Sequence, residues 1–164
     1  MARPTPRNDY ERRVVANVDR FGWHCTSVAA SPGEASPAFS YTVGLQHAYG
    51  QPEFILFGLS SPVAHGILST LADAAQSGAM FPLDRPCDAL VEGFDCVFLP
   101  VPRIQAEAYA LSAVWFYGGQ EFPLYQVIWP DRAGRYPWMP GYAHDPAHAQ
   151  PVLASAWSPV VGRD

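Results

Sequence analysis

The chain has 164 residues, a net charge of −5 and a pI near 5.4, a balance that argues against a general nucleic-acid binder or a binder of anionic membranes. Hydrophobic residues make up 49% and charged residues only 15%, so much of the chain must be buried or lie in an interface. All ten basic residues are arginines, which excludes lysine Schiff-base chemistry, covalent pyridoxal phosphate included, and a Walker-type phosphate loop.

Residues 1 to 7 read as a flexible arm, without the apolar stretch of a signal peptide. Asn8 followed by Glu11 is a capping-box pattern. Tyr10, Val14, Val18 and Phe21 then recur at helical spacing, and Gly22 marks the stop. Trp23 to Ala29 reads as a strand and Ser31 to Pro37 as a loop. Two apolar runs, Phe39 to Leu45 and Glu53 to Leu59, flank a short polar turn and predict two adjacent buried strands.

Ser60 or Ser61 caps a second helix with Pro62 in its first turn, an apolar face of Val63, Ile67, Leu68, Leu71 and Ala75, and an end at Gly78. Asp88 to Val91 and Cys96 to Val101 predict a hairpin around Glu92-Gly93-Phe94-Asp95. A third helix runs from Ile104 to Tyr117, with Ile104, Ala108, Leu111 and Trp115 on one face and Gly118-Gly119 at its end. Phe122 to Trp129 is a buried strand, Pro130 to Gly134 a tight turn opened by Asp131, and Arg135 to Trp138 a short returning strand. The proline-rich remainder is irregular, with a short helix over 151–157. These elements predict a single α+β domain over residues 8–158, with a tail at 159–164. Its sheet is mostly antiparallel and curved, with about three packed helices.

Ser40 to Leu45, His47 and Gly50-Gln51-Pro52-Glu53, together with Gln126 to Trp138, resemble the bacterial domain of unknown function family 4262. The resemblance spans roughly Val14 to Leu153. It implies one small α+β domain and no particular activity.

His47 lies in the turn between the first two buried strands, six residues before Glu53. An imidazole against a carboxylate is a common acid/base unit; the alternative is a histidine that caps the turn and a solvated glutamate. Tyr41, Thr42 and Gln126 are polar groups inside apolar runs and need partners, either backbone or a ligand in a cavity walled by Trp129. Asp131 either bonds its own turn or joins Arg132 and Arg135 in an anion site. His144 and His148 are four apart, but Pro146 lies between them and no third ligand is evident, so no metal site is assigned. Cys25, Cys87 and Cys96 are odd in number and form no close pair, which reads as free buried thiols in a reducing cytoplasm.

The leading expectation is a small-molecule-binding domain or small enzyme. His47, Glu53 and Asp131 are its catalytic candidates, and Tyr41, Tyr49, Gln126, Trp129, Arg132 and Trp138 its ligand-binding candidates. The site lies between the His47 turn and the Trp129 to Trp138 segment, with His47 and Asp131 facing one concave region. No nucleic-acid or membrane partner is expected, and no motif assigns a cofactor. Two rivals remain: a homodimeric interaction module, suited to five Trp, eight Tyr and nine Phe, and a flavin-binding barrel.

Overall fold

The two central apolar runs form strands β2 (Phe39–Val43) and β3 (Glu53–Phe57), buried at every position as strands covered on both faces should be. The computed structural model describes residues 3–31 and 37–154. With β1 (His24–Val28), β4 (Cys87–Val91), β5 (Phe94–Pro100) and β6 (Leu124–Ile128), they make one open sheet in the order β1-β2-β3-β6-β5-β4. Four of its pairings are antiparallel, while β3 and β6 run parallel, so the sheet is mixed. It ends at β1 and β4, which do not meet, and this open edge overturns the flavin-barrel reading.

Side chains alternate along the strands and divide the core. On one face Tyr41, Val43, Ile55 and Phe57 pack under α1 (Asp9–Phe21), α4 (Arg103–Tyr109) and α5 (Leu111–Phe116). On the other, Phe54, Leu56, Phe98 and Val127 pack under α3 (Ser61–Gln76) through Ile67, Leu68 and Leu71. Each such fully buried side chain contributes about 1.5–3 kcal/mol of transfer free energy.

Helix α1 keeps its expected ends: the Asn8 side chain accepts from the Glu11 N–H at 2.8 Å, and Gly22 closes it at φ 86°. The capping box is only half made, because the Glu11 carboxylate accepts from the Arg7 N–H (2.8 Å) instead of returning to Asn8. A Cβ at Gly22 would also stand 1.9 Å from the Tyr49 hydroxyl oxygen, so that ring would have to turn aside. Within residues 3–7 the Arg3 guanidinium makes an exposed ion pair with Asp19 at 2.9 Å.

About three packed helices and a short one over 151–157 are predicted, and the described residues hold five α-helices. The turn between β2 and β3 is itself a helix, α2 (Leu45–Tyr49). The third predicted helix is two, broken at Ala110, which leaves the helical region at φ −89° and ψ 56°. Ala110 has no side chain to cap α5, and the Tyr41 hydroxyl does so from β2, accepting the Ser112 N–H at 2.9 Å. The buried face is Ala106, Ala110, Ala113 and Phe116, whereas Ile104 and Leu111, predicted inward, stand 76% and 62% exposed. Small alanines let these helices lie close on the sheet.

Residues 135–138 hold no strand where one was predicted: 135–136 are irregular and 137–138 form a turn. The helix predicted over 151–157 is absent at 151–154; its remaining residues, the 159–164 tail and the 32–36 part of the predicted loop lie outside the described residues. No helix among the described residues is long and apolar enough to cross a membrane.

Candidate functional site

The irregular pairing of β4 with β5 creates the concave feature of interest. Their registered partners are Cys87 with Cys96 and Val91 with Phe94. Beyond Cys96, residues Val97 to Pro100 of β5 have β6 on one side and no β4 partner on the other. The chain before β4, Leu83 to Pro86, bends away, and a groove of about 430 Å³ opens between the two. Tyr125 and Trp138 complete its lining. By contrast, the pocket between Pro52 and Leu71 has about 10 Å³, room for one water at most.

Trp138 is held in the groove wall through its neighbour. Its ring stacks on Tyr136, with centroids 5.3 Å apart and planes 17° apart, and the Tyr136 hydroxyl donates to the Asp95 carbonyl at 2.7 Å. On the opposite rim Arg85 Nε bonds Asp84 Oδ1 at 3.2 Å, both side chains exposed. The groove thus offers an aromatic wall, an apolar floor and a charged lip.

The residues proposed as acid/base machinery lie elsewhere and spend their polar atoms internally. Glu53 is fully buried. Its Oε1 accepts from the Thr42 hydroxyl (2.7 Å) and the Leu45 N–H (3.2 Å). Its Oε2 accepts from the Gly44 N–H (3.0 Å), the Gln46 N–H (3.2 Å) and the Tyr117 hydroxyl. Helix α2 begins at Gly44, which has no side chain to cap it, and Glu53 supplies the missing acceptor from the adjacent strand. Burial pushes the Glu53 carboxyl upward, and its donors pull it back. Burial and the adjacent Glu53 carboxylate push the Tyr117 phenol up as well.

His47 joins this network through its backbone, whose N–H donates to the Tyr117 hydroxyl at 3.2 Å. Its imidazole is exposed and lies edge-on to Phe116, 5.6 Å between centroids. Asp131 Oδ1 accepts from the Ala133 N–H (3.0 Å) and the Arg135 N–H (2.8 Å), and Oδ2 from the Ala143 N–H (2.9 Å). Those backbone donors hold its carboxyl below the usual aspartate range. They also account for the missing strand at 135–138, because the side chain takes a donor that a ladder would have used. Neither His47, Glu53 nor Asp131 lines the groove.

The ligand-binding candidates divide likewise. Gln126 clamps the chain after β6, donating to the Pro151 carbonyl (2.7 Å) and accepting from the Leu153 N–H (2.9 Å). The Trp129 indole donates to the Phe57 carbonyl at 2.9 Å, and the Tyr49 hydroxyl to the Phe21 carbonyl at 3.4 Å. Tyr41 caps α5, as above, and Arg132 is exposed on the turn. Of the nine candidates, Trp138 alone lines the groove. Sequence reasoning missed Tyr125, Arg85 and Tyr117. Tyr125 could have been found as the large polar-tipped residue beside Gln126 in an otherwise apolar strand; nothing in the sequence marks the other two.

The family model described as Domain of unknown function (DUF4262) matches residues 17–143, a span that includes the whole sheet and all nine candidates but leaves out residues 9–16 of α1. The chain belongs to the DUF4262 family. No curated protein and no solved structure matches it. Within this DUF4262 chain, no group of three or more His, Cys, Asp or Glu among the described residues could hold a metal ion.

Proposed function

We propose that this DUF4262 domain binds a flat, largely apolar small molecule in the groove between Leu83 to Pro86, β5 and Trp138. The observation that carries the reading is Trp138 itself, an aromatic wall pre-positioned by a stacked and hydrogen-bonded Tyr136 over a groove of about 430 Å³. That volume falls within the roughly 300–1,000 Å³ of small-molecule sites. The edge of β5 lends the groove a rigid floor, and Arg85 on the lip suits a ligand with an acidic substituent. A library of aromatic carboxylic acids screened by native mass spectrometry tests this. A ligand found there should bind at least about tenfold more weakly to Trp138→Ala, equivalent to about 1.4 kcal/mol. Because Trp138 also packs against Leu99 and Ile128, binding is compared at a temperature where both proteins are folded by circular dichroism. Unchanged binding in the variant, or no ligand from the screen, would count against the groove.

Self-association is the second reading. It is favoured by Ile104 and Leu111, large apolar side chains 76% and 62% exposed on the neighbouring helices α4 and α5. Sedimentation equilibrium at tens of micromolar should then show a dimer that Ile104→Glu dissociates. A monomeric parent chain sets this reading aside.

A further inference from the structure

Cys87 and Cys96, far enough apart in sequence to suggest no pairing, are directly opposed across the antiparallel β4–β5 hairpin. Opposed residues of such a pair have Cα atoms about 4.5 or 5.5 Å apart, and both values fall within the roughly 4.4–6.8 Å that a disulfide spans. Paired residues also point to the same face of the sheet, and both cysteines belong to the cluster under α3. Both are free thiols. Cys25, the third thiol, lies in β1 at the opposite edge of the sheet, roughly 20 Å away by strand spacing.

We propose that Cys87 and Cys96 form a reversible cross-strand disulfide site, oxidised by low-molecular-weight disulfides and pinning the edge strand β4 to β5. Cys87, at 7% exposure, is the first to react, because Cys96 is fully enclosed and burial pushes its thiol up to about 12. The Cys87 thiolate attacks one sulfur of the small disulfide, whose S–S bond breaks, and a first small thiolate leaves and takes up a proton. Cys96 then loses its proton and attacks Cys87 Sγ, forming the protein S–S bond and expelling the second small thiol. Two electrons and two protons pass from the protein to the small disulfide. The loop closed is short, so the bond gains less from loop entropy than a long-range bridge would. Pro86 and Val97, next to the two cysteines in the chain, line the groove, so the bond sets one end of it. The inference stands whether or not the groove binds a ligand.

The test uses the folded, fully reduced chain incubated with oxidised glutathione. Remaining thiols are then blocked with N-ethylmaleimide under denaturing conditions and the peptides mapped by mass spectrometry. The expected product links Cys87 to Cys96 alone, has lost two hydrogens between them, and leaves Cys25 blocked or carrying glutathione. Dithiothreitol should restore three free thiols. Cys87→Ser should abolish the link and leave Cys96 unmodified in the folded protein. Cys87 and Cys96 both left as free thiols at oxidant levels that modify Cys25 would overturn the proposal, as would links scattered among all three pairings. The parent chain decides the matter even if the variant fails to fold.

Discussion

Glu53→Ala is expected to destabilise the domain by about 3–5 kcal/mol, because a buried donor left without its acceptor costs about 1–3 kcal/mol and several lose theirs at once. For a domain of this size that corresponds to a fall of roughly 6–20 °C in the thermal midpoint. The reason is the donor set left behind: the Thr42 and Tyr117 hydroxyls and three consecutive backbone N–H groups all lose their acceptor in a dry interior. Glu53→Gln should cost less, since one oxygen still accepts, but its NH2 would face donors. Tyr117→Phe removes a single donor and should cost least of the three. Calorimetry of the three variants gives the ranking. A Glu53→Ala protein melting within a degree or two of the parent would show that α2 does not depend on this carboxylate.

Acid should act through His24. Its Nδ1 lies 2.9 Å from the Asn17 amide nitrogen, which donates to it, while Nε2 is buried with no partner among the described residues. Burial, and secondarily the Arg13 charge, lower its pKa to about 4 from the ordinary 6.5. The unfolded chain therefore takes up this proton near pH 6.5 and the folded chain only near pH 4. Between those values the unfolded state holds more protons, so stability falls as the pH drops through that window and is fully present above it. The expected loss is about 2–3 kcal/mol. Urea titrations at pH 7 and pH 4.5 measure it, and His24→Leu should remove most of the difference. Equal pH dependence in parent and variant would place the acid sensitivity in the carboxylates instead.

Elements whose stabilising partners are local could be read from the sequence. Helix α1 carries its own cap and stop, α3 its own apolar face, and the β4–β5 hairpin its own turn. Elements held from a distance could not. Helix α2 has five residues, too few for a periodic signal, and its cap arrives from Glu53. The break at Ala110 is stabilised by Tyr41, 71 positions away from the Ser112 it bonds. Tyr41, Thr42 and Gln126 were singled out as polar groups needing partners, but a one-dimensional pattern does not say whether a partner is backbone or ligand. Tyr41 and Gln126 bond backbone, and Thr42 bonds both the Phe54 N–H and the Glu53 carboxylate. The groove was invisible for a similar reason: it arises where β4 leaves β5, a matter of register rather than composition.

The parallel join of β3 to β6 also orders events during synthesis. Residues 58–123 must leave the ribosome between one strand and its partner. At about 5–20 residues per second that interval is roughly 3–13 s. Throughout it β3 presents a free edge of Phe54, Ile55, Leu56 and Phe57, and the stretch that follows carries Asp73 as its one charge up to Leu83. An apolar, aromatic strand edge left unpaired is a template for joining another nascent chain. The vulnerable moment of this protein is thus a translational one, and it ends when Leu124 to Ile128 arrive to close the middle of the sheet.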